Sequence, residues 1–254
     1  MSQLLNYKLE GEGHTIVLIH GLFGNLDNLG LLARSLKQDH QVLSIDLRNH
    51  GQSFHSTSHT YLEQAQDVKA LLDHLAIQRC TLIGHSMGGK VAMKLAEMIE
   101  PNVEQLIVLD MAPVQYSQSR HDNVFAGLRS VDSAKPTSRK DAQNLLAQHI
   151  ELEGVRQFLG KSLYNNGEHL AWRFNVESLG DNYSEILGWQ SINKIATPTL
   201  FVKGANSDYL LAEHQNNIQQ QFSNAKAHVI ANTGHWLHAE KPEEVLRTIR
   251  KFLS

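Results

Sequence analysis

A serine stands between two glycines at the end of an apolar run, in the stretch TLIGHSMGG, residues 81–89. Its centre, Gly84-His85-Ser86-Met87-Gly88, is a Gly-x-Ser-x-Gly pattern, and the residues that follow, GGKVAMKLAEMI, are good helix formers. A sharp strand-to-helix turn at such a pattern lifts the serine hydroxyl clear of the backbone, and the glycines let the chain crowd there without a Cβ clash. The helix start adds free N–H groups and a positive dipole end, which favour charge developing on an oxygen nearby. That is the chemistry of nucleophilic acyl transfer. The bland reading of the same residues is a plain turn with a helix-starting serine.

A serine hydroxyl is a weak nucleophile until a base takes its proton. His235 is the candidate base: it follows an apolar run (225–231) and Gly234, and precedes the closing helical pattern. His238, one helical turn on, is the rival and is expected further out or exposed. A tetrahedral oxygen needs two N–H donors. Met87, next after the serine, supplies one. The other is expected from the loop HGLFG (20–24), with Leu22 as the donor and Phe23 as the neighbouring alternative. The third member, a carboxylate that orients the imidazole, is ambiguous. Asp110 ends the run VEQLIVLD, whereas Asp208 lies one residue late in GANSDYL, where Ser207 takes the position a Gly-x-x-Asp pattern would give the acid. From the residues alone Asp110 and Asp208 both stand as candidates. Asp46, at another strand end, reads as a brace for the loop RNHG.

These side chains need a scaffold that brings them to one edge. Short apolar runs at 15–21, 41–47, 80–86, 103–110, 199–204 and 225–231 read as strands buried on both faces, with a further edge strand at 4–10. Helical patterns at 28–38, 61–75, 88–99 and 242–253 alternate with them, so the sheet is mostly parallel and flanked by helices. Between Asp110 and Thr199 the rhythm breaks. No strand is legible there, only helical patches at 120–131, 138–150 and 153–163, which reads as an inserted cap.

The 254 residues are 41% hydrophobic and 19% charged, with a formal net charge of −3, as in an ordinary globular protein. No basic excess calls for nucleic acid. No run of 18 apolar residues suggests a membrane span, and no signal-peptide pattern is visible, so a cytoplasmic location is expected. The lone cysteine, Cys80, reads as packing. The 15 histidines form no metal-binding spacing, and no metal or organic cofactor is expected.

The stretches HGLFG, DLRNHGQS, GHSMGG and GHWLHAEKP, in this order, resemble the α/β-hydrolase superfamily across essentially the whole chain. More narrowly, HGLFGNLDNLG, RNHGQS, LDMAPV and HWLHAEKP look like the bacterial YbfF-type esterases. Asn49 departs from the commoner Arg-Gly-His-Gly of the superfamily, a departure shared with that branch. The resemblance implies an α/β-hydrolase fold with a core of 1–111 and 191–254 and a helical cap, 112–190, inserted after the sixth strand. It implies hydrolysis of carboxylic esters and thioesters, including acyl-CoA substrates, by Ser86, His235 and Asp110, with Ser207 hydrogen-bonded beside that pair. The cap residues Phe125, Leu128, Phe158, Leu159, Trp172, Phe174 and Trp189 are expected to pack the cap first and an acyl pocket second. Phe23 and Trp236 are expected to face substrate. Basic and acidic residues in the cap balance, so no field for a CoA phosphate is expected, although Arg120 or Arg173 at the mouth would help. A C–C hydrolase or perhydrolase on the same scaffold, and a non-catalytic small-molecule binder, are the competing readings. The oligomeric state is not legible.

Overall fold

The computed structural model describes residues 3–254. Strands β1 (Tyr7–Glu10), β2 (Thr15–Ile19), β3 (Gln41–Ile45), β4 (Cys80–His85), β5 (Val103–Leu109), β8 (Thr199–Gly204) and β9 (Ala225–Ile230) form one sheet in the order β1-β3-β2-β4-β5-β8-β9. Only β1 runs antiparallel, against β3; the other neighbours are parallel. The serine-bearing strand β4 is thus central. In an open parallel sheet the carboxyl edge gathers the loops that can form a site.

Both faces of the sheet are covered, which explains the near-continuous apolar strands. On β2, Val17 and Ile19 pack with Val68 and Leu71 of α2 (Tyr61–His74) and Val91 of α3 (Met87–Met98). The alternate residues Ile16 and Leu18 pack with Leu32 and Leu36 of α1 (Gly30–Leu36) and with Val245 and Ile249 of α11 (Pro242–Leu253). Thr60 starts α2 with a capping box closed by Glu63. The expected strands and core helices are therefore present, with one difference. Strand β9 lies at the edge of the sheet, and four of its six residues are exposed. Cys80 is buried, as packing requires.

The segment between β5 and β8 carries α4 (Asp122–Ala134), α5 (Arg139–Ala147), α6 (Glu153–Gly160), α7 (Val176–Asp181) and α8 (Tyr183–Leu187). It follows the fifth strand and not the sixth, because a single strand, β1, precedes the first parallel one among the described residues. Nor is it all helical: β6 (Leu163–Asn165) and β7 (Leu170–Trp172) form a hairpin. Three-residue strands around Asn166-Gly167 are too short for an alternation to register in sequence. The chain closes through α9 (Gln215–Gln221), α10 (Leu237–Glu240) and α11.

Lys90 joins this inserted segment to the helix behind the serine. It is fully buried, and its ammonium donates to the carbonyls of Leu187 (3.2 Å) and Gly188 (2.7 Å). Tyr61, Tyr116 and Trp189 surround the same ammonium with their ring faces. No helix among the described residues is long and apolar enough to cross a membrane.

Candidate active site

The turn from β4 into α3 places Ser86 at φ 54° and ψ −124°, a region that costs a non-glycine residue energy. The flanking glycines serve close approach. A Cβ on Gly84 would lie 2.2 Å from the Gly88 carbonyl oxygen, and one on Gly88 would lie 2.3 Å from that of His20. The turn therefore sits against the end of β2, so the HGLFG loop lies beside the serine.

Ser86, His235 and Asp110 are brought together. His235 Nε2 lies 2.8 Å from Ser86 Oγ, and its Nδ1 lies 2.7 Å from Asp110 Oδ2. Hydrogen positions follow from the network: Nδ1–H donates to the carboxylate, which leaves the Nε2 lone pair to accept from the serine. Asp110 is fully buried, and its charge is met by three donors. Oδ1 accepts the Gly204 N–H at 2.9 Å, while Oδ2 accepts both His235 and the Ser207 hydroxyl. Asp110 itself has φ 53°, which turns its side chain toward β8 and the histidine loop. Asp208 does not reach His235. It is largely exposed and pairs with Arg120 Nη1 at 2.6 Å.

The two donor candidates also separate. The Phe23 N–H is committed to His50 Nε2 at 3.1 Å. Among the described residues, the N–H groups of Leu22 and Met87 have no acceptor. His50 is held in turn, its Nδ1–H donating to the Arg48 carbonyl at 3.0 Å. His59 carries its proton on Nε2, 3.5 Å from Met87 Sδ, because Asn49 Nδ2 donates to its other nitrogen. Burial pushes His50 well below the usual imidazole range and His59 down to about 3, so both rings are neutral at pH 7. Asp46 braces this region as expected: it accepts from Leu26 N–H (2.7 Å) and Gln52 N–H (2.9 Å).

Asn49 explains the departure from Arg-Gly-His-Gly. Its φ is 64°, a conformation glycine adopts freely and asparagine tolerates. The asparagine adds side-chain links that glycine lacks. Its amide donates to Ser178 Oγ of α7 at 3.3 Å, and its carbonyl oxygen accepts from Ser56 N–H and Asn175 Nδ2.

A cavity of about 460 Å³ opens above Ser86 and His235. Its apolar wall includes Val124, Ile150, Val155, Phe158, Leu159 and Trp236; Arg120, His121 and Asn123 give it a polar side. Phe158 and Trp236 face each other with ring centroids 6.0 Å apart. Phe23 touches the cavity but is almost wholly buried, packed edge-on to Phe125 and tilted against Phe174. Of the residues between 112 and 190 whose aromatic and leucine side chains were singled out from sequence, only Phe158 and Leu159 line the cavity. Trp172 stacks on Phe174 inside the inserted segment, and Trp189 covers Lys90. Arg173 lies over Tyr164, away from the cavity.

His238 is buried, not exposed. Its ring lies 4.3 Å from that of His85, and burial lowers it to about 3. His85 Nε2–H donates to the His235 carbonyl at 2.9 Å and so fixes that loop, a contact that gave no signal in sequence. Tyr209, stacked on His235, was likewise not singled out. Among the described residues no three His, Cys, Asp or Glu side chains converge as a metal site.

The chain belongs to the α/β hydrolase fold family, which it matches over residues 14–242. Within that family it is 46% identical to Esterase YbfF of Escherichia coli (strain K12) over 239 residues, 94% of this chain and 92% of that protein. It is 36% identical to the sn-1-specific diacylglycerol lipase ABHD11 of Mus musculus, over 94% of this chain and 80% of that one. A solved marine microorganism esterase superposes with a TM-score of 0.95 at 32% identity, covering 99% of this chain and all of the other.

Proposed function

We propose that the protein is a serine esterase that also accepts thioesters of the acyl-CoA type, and that it works through an acyl-enzyme. The observation that carries this reading is the continuous chain from Ser86 Oγ through His235 to Asp110, with the Leu22 and Met87 N–H groups left without an acceptor among the described residues. The esterase and lipase names of its relatives support the same class.

In this mechanism Ser86 Oγ attacks the acyl carbonyl as its proton passes to His235 Nε2. The Leu22 and Met87 N–H groups receive the oxyanion. Asp110 holds the Nδ1–H tautomer and offsets the imidazolium charge. The intermediate collapses, and the imidazolium gives its proton to the departing alkoxide or thiolate. Water, deprotonated by His235, then attacks the acyl-serine, and Ser86 regains its proton as the acid leaves. Residues 112–190 act as a cap that supplies most of the apolar wall, while Trp236 closes the side next to the base. Phe23 supports the oxyanion loop from beneath more than it contacts substrate.

Asp110→Asn and Asp208→Asn, assayed on a short aryl ester and on an acyl-CoA, test the reading. Asp110→Asn lowers kcat by about 10³- to 10⁴-fold on both substrates, through the wrong tautomer; Asp208→Asn retains turnover. A crippled Asp208→Asn beside an active Asp110→Asn overturns the assignment of the acid. Wild-type protein that hydrolyses neither substrate overturns the esterase reading.

A further inference from the structure

One face of the His235 imidazole is covered by an aromatic ring. Tyr209 stacks on it with ring centroids 3.8 Å apart and planes 19° from parallel. The Arg120 guanidinium lies over the same tyrosine ring, 4.4 Å from its centroid. Two planar groups at those distances do not fit side by side on one face of a six-membered ring. Tyr209 is therefore sandwiched, with imidazole on one side and guanidinium on the other. Arg120 in turn donates to Asp208. The sandwich is anchored: Tyr116 Oη–H donates to the Tyr209 carbonyl at 2.6 Å, and the Tyr209 N–H donates to Ser207 Oγ at 3.3 Å.

We infer that Tyr209 and Arg120 are positioning residues for His235: the stack holds the imidazole plane and opposes its positive charge, and Asp208 sets the strength of that opposition. A π face attracts a cation, and here the guanidinium already occupies the far side. A fixed cation across one ring disfavours an imidazolium on the near side. Positive charge that forms on the ring during reaction therefore meets the guanidinium across the stack. The Asp208 carboxylate, two-thirds exposed, offsets part of the guanidinium charge.

The other groups around His235 leave this stack as the adjustable one. Asp110 sits at Nδ1. His85, with its ring 4.9 Å away, is pushed well below the usual range by burial, and His121 and His238 are lowered to about 4 and about 3. All three are neutral around pH 7. The Tyr209 phenol, raised to about 12 by burial, stays protonated. Glu240, on the helix after the histidine loop, is occupied by the Gly234 N–H.

The kinetic half of the test rests on the serine-hydrolase reading; the spectroscopic half does not. The His235 ring resonance, identified by its loss in His235→Gln, is titrated by NMR, and kcat/KM on a short aryl ester is followed against pH. Arg120→Gln moves the ring titration and the acidic limb of the profile to higher pH, and Asp208→Asn moves both to lower pH, each by roughly 0.3–1 unit. The double variant returns close to wild type. Tyr209→Phe keeps both curves in place, because no hydrogen bond engages the phenol among the described residues, whereas Tyr209→Leu lowers kcat about 10-fold. Shifts that are absent or in the same direction for Arg120→Gln and Asp208→Asn overturn the inference, as does a Tyr209→Leu enzyme equal to wild type. A ring titration that moves as expected in a protein inert toward esters leaves the stack standing and removes the esterase reading. An active enzyme in which nothing moves removes the stack alone.

Discussion

The Ser207 hydroxyl, 97 residues from Asp110 in sequence, donates to Asp110 Oδ2, the same oxygen that receives His235 Nδ1–H. Serine thus fills the place where the chain pattern leads one to look for an acid, while Asp110, the acid of the proposed mechanism, follows the neighbouring strand β5. A hydrogen bond to a charged group contributes about 1.5–3 kcal/mol, part of which water recovers when the donor is lost. Ser207→Ala is therefore expected to lower kcat about 3- to 20-fold with KM unchanged, and Ser207→Thr to retain most of the rate. Steady-state kinetics on one ester decides it: an unchanged kcat in the alanine variant removes Ser207 from the reaction.

The loop that carries Leu22, the proposed oxyanion donor, gives the second prediction. His50 accepts the Phe23 N–H, and Phe23 is held at φ 61°, so the ring fixes a strained residue next to Leu22. His50→Leu leaves a buried N–H without an acceptor, a loss of about 1–3 kcal/mol. Urea unfolding reads that loss directly. Loosening of the Leu22 N–H lowers kcat on ester and thioester alike, about 10- to 100-fold. His50→Gln, which can still accept, is expected to recover part of both. A leucine variant with full kcat and reduced stability would confine His50 to a structural role.

Much of this was legible in sequence because the signals are local. Ser86 was marked by two glycines whose absent side chains the turn requires, and His235 by Gly234 and the run before it. The parallel strands announced themselves because both faces of the sheet are covered, as Ile16 and Val17 show by packing on opposite sides. What stayed hidden depends on distant residues or on brevity. Asp110 and Asp208 are separable only when the β5–β8 pairing sets which carboxylate faces His235. The β6–β7 hairpin is too short to show a period. Tyr209 reads as one more aromatic in a polar loop until the fold stacks it on His235, and Phe125 and Phe174 pack on Phe23, with Trp172 stacked on Phe174, although their types suit a pocket equally well.

Lys90 carries the last prediction, on stability and pH. Burial lowers it from the ordinary 10.5 to about 7, while the Leu187 and Gly188 carbonyls and three ring faces act in the opposite sense. Between about pH 7 and 10.5 the unfolded chain binds a proton at this lysine that the folded protein has released. Stability must therefore rise with pH across that window, since the unfolded state holds more protons there. Below pH 7 both states are protonated and the contribution is flat at its lower value. The rise is expected to be about 1–3 kcal/mol in wild type and absent in Lys90→Met, which keeps the length and apolar bulk of the side chain. Urea unfolding at pH 6.5, 8 and 9.5 on both proteins reads it, and parallel curves for the two would show that Lys90 stays charged through the whole window, held by its carbonyls and rings.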